Sequence, residues 1–334
     1  MDSDHPVNVF LTVDTEHSIG GAFLSEDAHP VGNDAMVWGR IGSTQYGIPR
    51  IMDIADTYGL PLTFFLEVLN KHYFGERESR EVCEYILKRN HDVQLHLHPN
   101  YLNFALDDPR SKPYTDLIGR YNLQEQVHML EEGRELLRAY GAPGVCAFRA
   151  GCFGANETTL EAVGRAGLLV DSSYNAAYSP YPCLIPDRGI NDFAYIKGVG
   201  ELPITNFREN LPFRKRLKPL DINGASGKEI AFVLGSAART GQRNAVVILH
   251  SFSFIKPMDF QYRVIKPRNH VVRRFERICR FLAENKASFR VRTFASLRMD
   301  ELPSMNSAAR HSLLTMPAAL SAARYCEQMK DELL

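Results

Sequence analysis

The chain has 334 residues, enough for one large α/β domain or two smaller ones. Its 39 basic and 39 acidic residues cancel and 45% of its residues are apolar, an ordinary globular make-up with no overall field for nucleic acid or a membrane. No run approaches the ~18 apolar residues of a membrane span. Six scattered cysteines, Cys83, Cys146, Cys152, Cys183, Cys279 and Cys326, form no close CxxC pair and read as reduced thiols. The polar start Met1–Pro6 lacks the basic and apolar regions of a secretory leader, and Leu334 follows the Lys-Asp-Glu-Leu near the end. The expected location is therefore cytoplasmic.

In chain order, Val7–Val13 is a β-branched apolar run that predicts a buried strand ending at Asp14-Thr-Glu16-His17. An irregular stretch follows, and Ser43 or Thr44 is placed to cap a helix carrying Ile48, Ile51, Met52 and Ile54. Gly59 stops it before a second strand at Leu62–Leu66. A helix over Glu76–Lys88 leads to a third strand starting at Asp92, and Asn100–Tyr121, with Pro109 and Pro113, reads as a long loop. Leu123–Tyr140 is an amphipathic helix, Val145–Phe148 a brief strand, and Asn156 caps a helix to Ala166. Leu168–Val170 is a strand ending at Asp171, with short strands expected near Phe193–Ile196 and Glu201–Thr205. The locally basic run Arg208, Arg214, Lys215, Arg216 and Lys218 reads as a solvated loop. A helix over Lys228–Arg239, the most apolar strand at Ala245–Leu249, a helix over Pro267–Lys286 and a strand at Phe289–Thr293 complete the body. Residues 1–302 thus form one unit and 303–334 a helical tail outside the core. Strand and helix alternate throughout, which argues for parallel strands with crossover helices.

The chemistry gathers at strand ends. In Asp92-Val-Gln-Leu-His-Leu-His-Pro-Asn100, His96 and His98 stand two apart, so on a strand they share a face about 7 Å apart. Two imidazoles so placed can converge on one ion, or can simply lie on a solvated strand end. Asp14, Arg149, Asp171 and His250 likewise fall at the ends of different predicted strands, the rim where parallel α/β folds build active sites.

Thr12-Val-Asp-Thr-Glu16, Leu95-His-Leu-His-Pro99, Phe148-Arg-Ala-Gly151, Asp171-Ser-Ser173 and Ile248-Leu-His-Ser251 resemble, as an ordered set, the motifs of the polysaccharide deacetylases (NodB-homology, carbohydrate esterase family 4). The resemblance implies a distorted (β/α)7-type barrel and a divalent metal, zinc with nickel or cobalt as alternatives, used to remove acetyl groups from sugars. It implies Glu16, His96 and His98 as metal ligands, Asp14 as general base, Arg149 as the residue orienting that base and His250 as general acid. Asp171 is placed with the catalytic group as a structural cap or a tuner of His250, and Ile248 or Leu249 at the acetyl pocket. His17 points to the opposite strand face and is left out. The sequence departs from the family pattern in three places, one of them the third motif, Phe148-Arg-Ala-Gly151, without the usual proline and aromatic. The carboxylates Asp14 and Glu16 are two apart rather than adjacent, and Asn100 stands at the fourth position after His96, so His98 becomes the substitute ligand. The expected partner is an acetylated sugar or glycan, with self-association through the tail allowed. The rival readings are an O-deacetylase or deformylase on the same site, or a degenerate member that binds glycan without hydrolysing it.

Overall fold

The computed structural model describes residues 5–186, 188–212, 215–305 and 313–332. Nine strands build its main sheet: β1 Val7–Thr15, β2 Thr63–Glu67, β3 Asp92–Leu97, β4 Ala147–Ala150, β5 Val170–Asp171, β6 Ala194–Ile196, β7 Val199–Glu201, β8 Asn244–His250 and β9 Phe289–Arg292. Their order is β8-β1-β2-β3-β4-β5-β7-β6, parallel except for the β6–β7 hairpin, with β9 also on β1. Strand β1 is shared three ways. β8 pairs along Asn8–Asp14, whereas β9 takes Val7–Phe10 and β2 takes Thr12–Thr15.

The sheet curls, and short backbone segments close the gap between its last strands and β8. Thr205 donates to the Val246 carbonyl, while Ile222 donates to Ile248 and Ile248 to Leu220. This is the distorted barrel the sequence predicts. Alternation along each strand makes two cores. Val9, Leu11 and Val13 point outward into a large cluster with the helices. Phe10, Phe65, Val246 and Ile248 point inward and, with Phe294, Leu297, Leu302 and Met305, fill the barrel floor. Each such side chain contributes about 1.5–3 kcal/mol by burial.

The crossover helices are α1 Ile48–Thr57, α2 Glu76–Lys88, α3 Leu123–Ala139, α4 Glu157–Arg165, α5 Gly227–Thr240 and α6 Asn269–Glu284. Asn122–Glu125 and Ser226–Glu229 make capping boxes, and Asn156 caps α4 as the sequence predicts. Helix α1 is different. Its N-cap is Gly47, without a side-chain hydrogen bond, while Thr44 pairs in a small hairpin with Ile41. A Cβ on Gly47 would lie 1.9 Å from the Val37 carbonyl oxygen, so close backbone packing and Pro49 set this start instead of a capping hydroxyl.

The tail packs on the barrel, an arrangement the sequence leaves open beside self-association. Helix α7, Ala318–Glu332, does not stand clear of the core: Met316 and Ser321 are buried, and Arg324 is buried between Glu209 and Glu229. Arg214 of the basic run, residues 306–312 of the tail and the last two residues lie outside the described residues. Cys83, Cys183 and Cys279 are buried thiols, Cys152 and Cys326 exposed ones. No helix is long and apolar enough to cross a membrane among the described residues.

Candidate metal centre

Strand parity places the site. Thr12, Asp14 and Glu16 project from β1 and its extension to the same inner face as His96 and Arg149, which are register partners across β3 and β4. Glu16 Oε2 lies 3.0 Å from His96 Nε2 and 2.7 Å from His98 Nε2, and its Oε1 is 4.0 Å from His250 Nε2. One ligand atom from each of Glu16, His96 and His98 falls within 4.8 Å of the others. The histidine rings stand 5.0 Å apart, nearly perpendicular. His17 faces outward, between Asn33 and Asn70, as its parity requires.

The outer nitrogens decide the tautomers. His96 Nδ1 lies 2.8 Å from the Arg149 carbonyl oxygen, which can only accept, so this nitrogen carries the proton. His98 Nδ1 lies 3.0 Å from an Asp116 carboxylate oxygen, and the same holds. In the neutral rings both Nε2 atoms are bare lone pairs, yet both face a carboxylate oxygen. Only added protons or a cation between them resolves that contact, and a carbonyl- or carboxylate-anchored imidazole is how proteins orient metal ligands. The donor set therefore fits a divalent metal. Without one, burial would raise the Glu16 carboxyl, but the charge of His98 and the hydrogen bonds from both histidines outweigh it and hold it well below the usual range. Burial lowers His98, yet Asp116 and Glu16 carry it well above the usual imidazole value.

Gly151 makes room for this. A Cβ there would meet His98 Nδ1 at 2.6 Å and Cε1 at 2.7 Å, so the ring lies flat on bare backbone. Beneath, Glu67 is fully buried and accepts from Leu69 N at 2.8 Å, Asn70 N at 2.7 Å and His98 N at 3.3 Å, fixing the strand end.

Arg149 sits inside the barrel with no exposed surface. Its Nη1 donates to Asp14 Oδ1 at 2.5 Å and Thr12 Oγ1 at 3.0 Å, and Nε and Nη2 reach the Ser172 carbonyl and hydroxyl at 3.1 Å each. The guanidinium lies 4.0 Å over the Phe65 ring.

Asp171 does not join this cluster. It pairs in register with Phe148, whose side chain packs in the outer core, so its carboxylate is on the opposite sheet face from Arg149. There it accepts from Ser173 N and Oγ at 2.9 Å each and faces Glu201. Burial raises both carboxyls, and Glu201 rises further on the charge of Asp171. The acid near His250 is instead Asp221, half-buried beside β8 and bridged to Ile248. Burial raises its carboxyl and the charge of His250 opposes that rise. Asp116 and Asp221 were not anticipated. Both lie in non-repetitive segments, where no periodicity marks a side chain's direction.

No family model matches the sequence, and no curated protein matches it either. Among solved structures, a candidate polysaccharide deacetylase from Mycobacterium smegmatis superposes with a TM-score of 0.52 at 16% identity, covering 95% of this chain and 96% of that one. The chain has the polysaccharide-deacetylase fold. The same barrel also matches 4-alpha-glucanotransferase from Thermococcus litoralis, with a TM-score of 0.52 and 11% identity over 98% of this chain and 47% of that one. A family 4 carbohydrate esterase from Streptomyces lividans in complex with acetate aligns at 11% identity and a TM-score of 0.45, covering 91% and 97%. Because one fold carries both kinds of chemistry, the site must choose between them.

Proposed function

We propose that this protein is a divalent-metal-dependent carbohydrate deacetylase that removes an acetyl group from an N-acetylated sugar of a surface polysaccharide or its precursor. The observation that carries the reading is the pair of bare imidazole nitrogens of His96 and His98 turned on one carboxylate oxygen of Glu16. Glu16, His96 and His98 would hold the ion; zinc, nickel and cobalt all suit two imidazoles and a carboxylate. A bound cation supplies polarisation of the acetyl carbonyl and a more acidic water.

The chain's own residues supply the proton traffic. Asp14, two residues from Glu16 on the same face, accepts the proton of the attacking water, and Arg149 fixes its carboxylate by donating to Oδ1. His250, at 4.0 Å from Glu16 and a quarter exposed, gives the leaving nitrogen its proton, with Asp221 as the neighbouring carboxyl. Ile248 shares the inner face with His250 and suits the acetyl methyl. Asp171 acts at a distance, since Ser173 Oγ bonds both it and Ala150 N, bracing the strand that carries Arg149. A glycoside-cleaving reading needs one carboxyl kept protonated over the sugar. Glu16 is instead held ionised by two imidazoles and Asp14 is tied to a guanidinium, which disfavours it.

Elemental analysis tests the centre. About one divalent ion per native chain, lost in His98→Ala, is expected, with amine release from an N-acetylated sugar that Asp14→Asn abolishes. No metal in the native protein after incubation with zinc, nickel or cobalt would overturn the reading.

A further inference from the structure

Beside the candidate centre, the hairpin Ile255–Pro257 and Ile265–Pro267 follows closely on the strand that ends at His250. Its tip is stapled to the loop that follows Glu16: the Gln261 amide nitrogen donates to the Gly20 and His29 carbonyls, and its oxygen accepts from His29 N. Phe260 rests on Gly21, where a Cβ would stand 3.4 Å from the ring edge. Asp259 accepts from the backbone of Gln261, Arg263 and Val264, so the tip's carboxylate is used in holding the turn.

The tip and loop present four large apolar side chains to solvent. Leu24 is 86% exposed, Phe260 72%, Val264 55% and Met258 51%. Leu24, Met258 and Phe260 line one open cavity of about 610 Å³ together with Gly20, Gly21 and Tyr262, and Val264 pairs with Met258 across the turn. Four large apolar side chains gathered on two protruding loops exceed the scattered exposure normal for a protein surface. Lys256, Arg263 and Lys266 flank them on the same hairpin. Of the two acids in the facing loop, Glu26 is paired with Arg110 at 2.5 Å and Asp27 is exposed, so the cationic side of the collar is the hairpin's own. An apolar tip inside a cationic collar is complementary to an anionic lipid surface: acyl chains take the tip, and headgroup phosphates take the collar.

We infer that the hairpin tip around Phe260 and the loop at Leu24 dock the protein on an anionic lipid membrane surface, with the mouth of the candidate centre turned toward the lipid. The surface reading stands on the patch and its collar; it rests on the proposed function only for what the mouth would meet there, a sugar carried on a lipid.

Co-sedimentation of the full chain with phosphatidylcholine vesicles, with and without phosphatidylglycerol, reads docking independently of turnover. Binding to the anionic vesicles that weakens with salt is expected. Leu24→Asp with Phe260→Asp should reduce it at least tenfold, and Arg263→Glu with Lys266→Glu at least fivefold, each with an unchanged melting temperature. Asp14→Asn should sediment like the native chain, so a failed deacetylase reading leaves this result standing. The inference falls if the native chain stays in the supernatant, if neutral vesicles bind it equally, or if the Leu24 and Phe260 variant binds undiminished. It also falls if that variant turns a native dimer into a monomer, which would make a second copy the partner of the patch.

Discussion

Replacing Arg149 with Met leaves the buried carboxylate of Asp14, 3% exposed, without its guanidinium and strips one bond each from Thr12 and Ser172 Oγ. Removing one partner of a buried ion pair costs about 3–5 kcal/mol, because the remaining charge has no solvent. An unfolding entropy of about 2.1 cal/mol/K per residue over 334 residues gives about 0.7 kcal/mol/K. The Arg149→Met chain should therefore melt about 4–7 °C lower. The only tryptophan, Trp38, is buried against Tyr85 and serves as a fluorescence probe. The measurement belongs in chelator, so that metal linkage does not enter. Adding Asp14→Asn to Arg149→Met removes the stranded charge and should recover about 2 kcal/mol or more. A drop under about 1 °C for the single variant, or effects of the two changes that add within about 0.5 kcal/mol, would refute the claim that this pair is a coupled, buried interaction.

Gly151→Ala should weaken metal affinity at least tenfold without altering a ligand, since its Cβ would displace the His98 ring; equilibrium dialysis with zinc checks this. Zinc at about 100 times its dissociation constant should stabilise the native chain by about 2.7 kcal/mol, and Glu16→Ala should abolish that gain in a thermal scan. The Asp171–Glu201 pair sets a pH trend. Its folded carboxyls are raised, so above the usual Glu value of 4.5 the folded state keeps a proton that the unfolded chain has lost. Stability from this pair is thus full at low pH and declines as pH rises through the folded values; Glu201→Gln should flatten that slope in denaturant titrations across pH. Arg324→Ala strands Glu209 and Glu229 together in the core and should cost about 3–5 kcal/mol, read as a lower denaturation midpoint.

Much of the centre was legible because strand parity is a strict rule. Two-residue spacing put Asp14 with Glu16 and His96 with His98, and turned His17 away. The same rule, applied one step further, would have turned Asp171 away from Arg149, but finding the last inward residue of so short a strand required its register with Phe148. Asp116 and Asp221 escape sequence reading because their direction is set by tertiary contacts of irregular backbone. The hydroxyls of Ser43 and Thr44 made a plausible cap, yet the close approach of Gly47 to Val37 fixed the helix start. Nothing local in the tail singles out Arg324, because the two carboxylates that bury it, Glu209 and Glu229, are distant in sequence.

The threefold sharing of β1 has a consequence for how the chain is made. The first strand to leave the ribosome finds its longest partner only after residue 244 has been synthesised and another partner only after 289. Thr12 bonds the Val247 carbonyl across a separation of 235 residues. Such non-local pairing folds slowly and leaves strand edges bare while synthesis proceeds. Glu16 waits at the start of the chain and His250 arrives near its end, so the candidate pocket is among the last features to exist, and a chain cut short before the eighth strand carries Glu16, His96 and His98 without His250 opposite them.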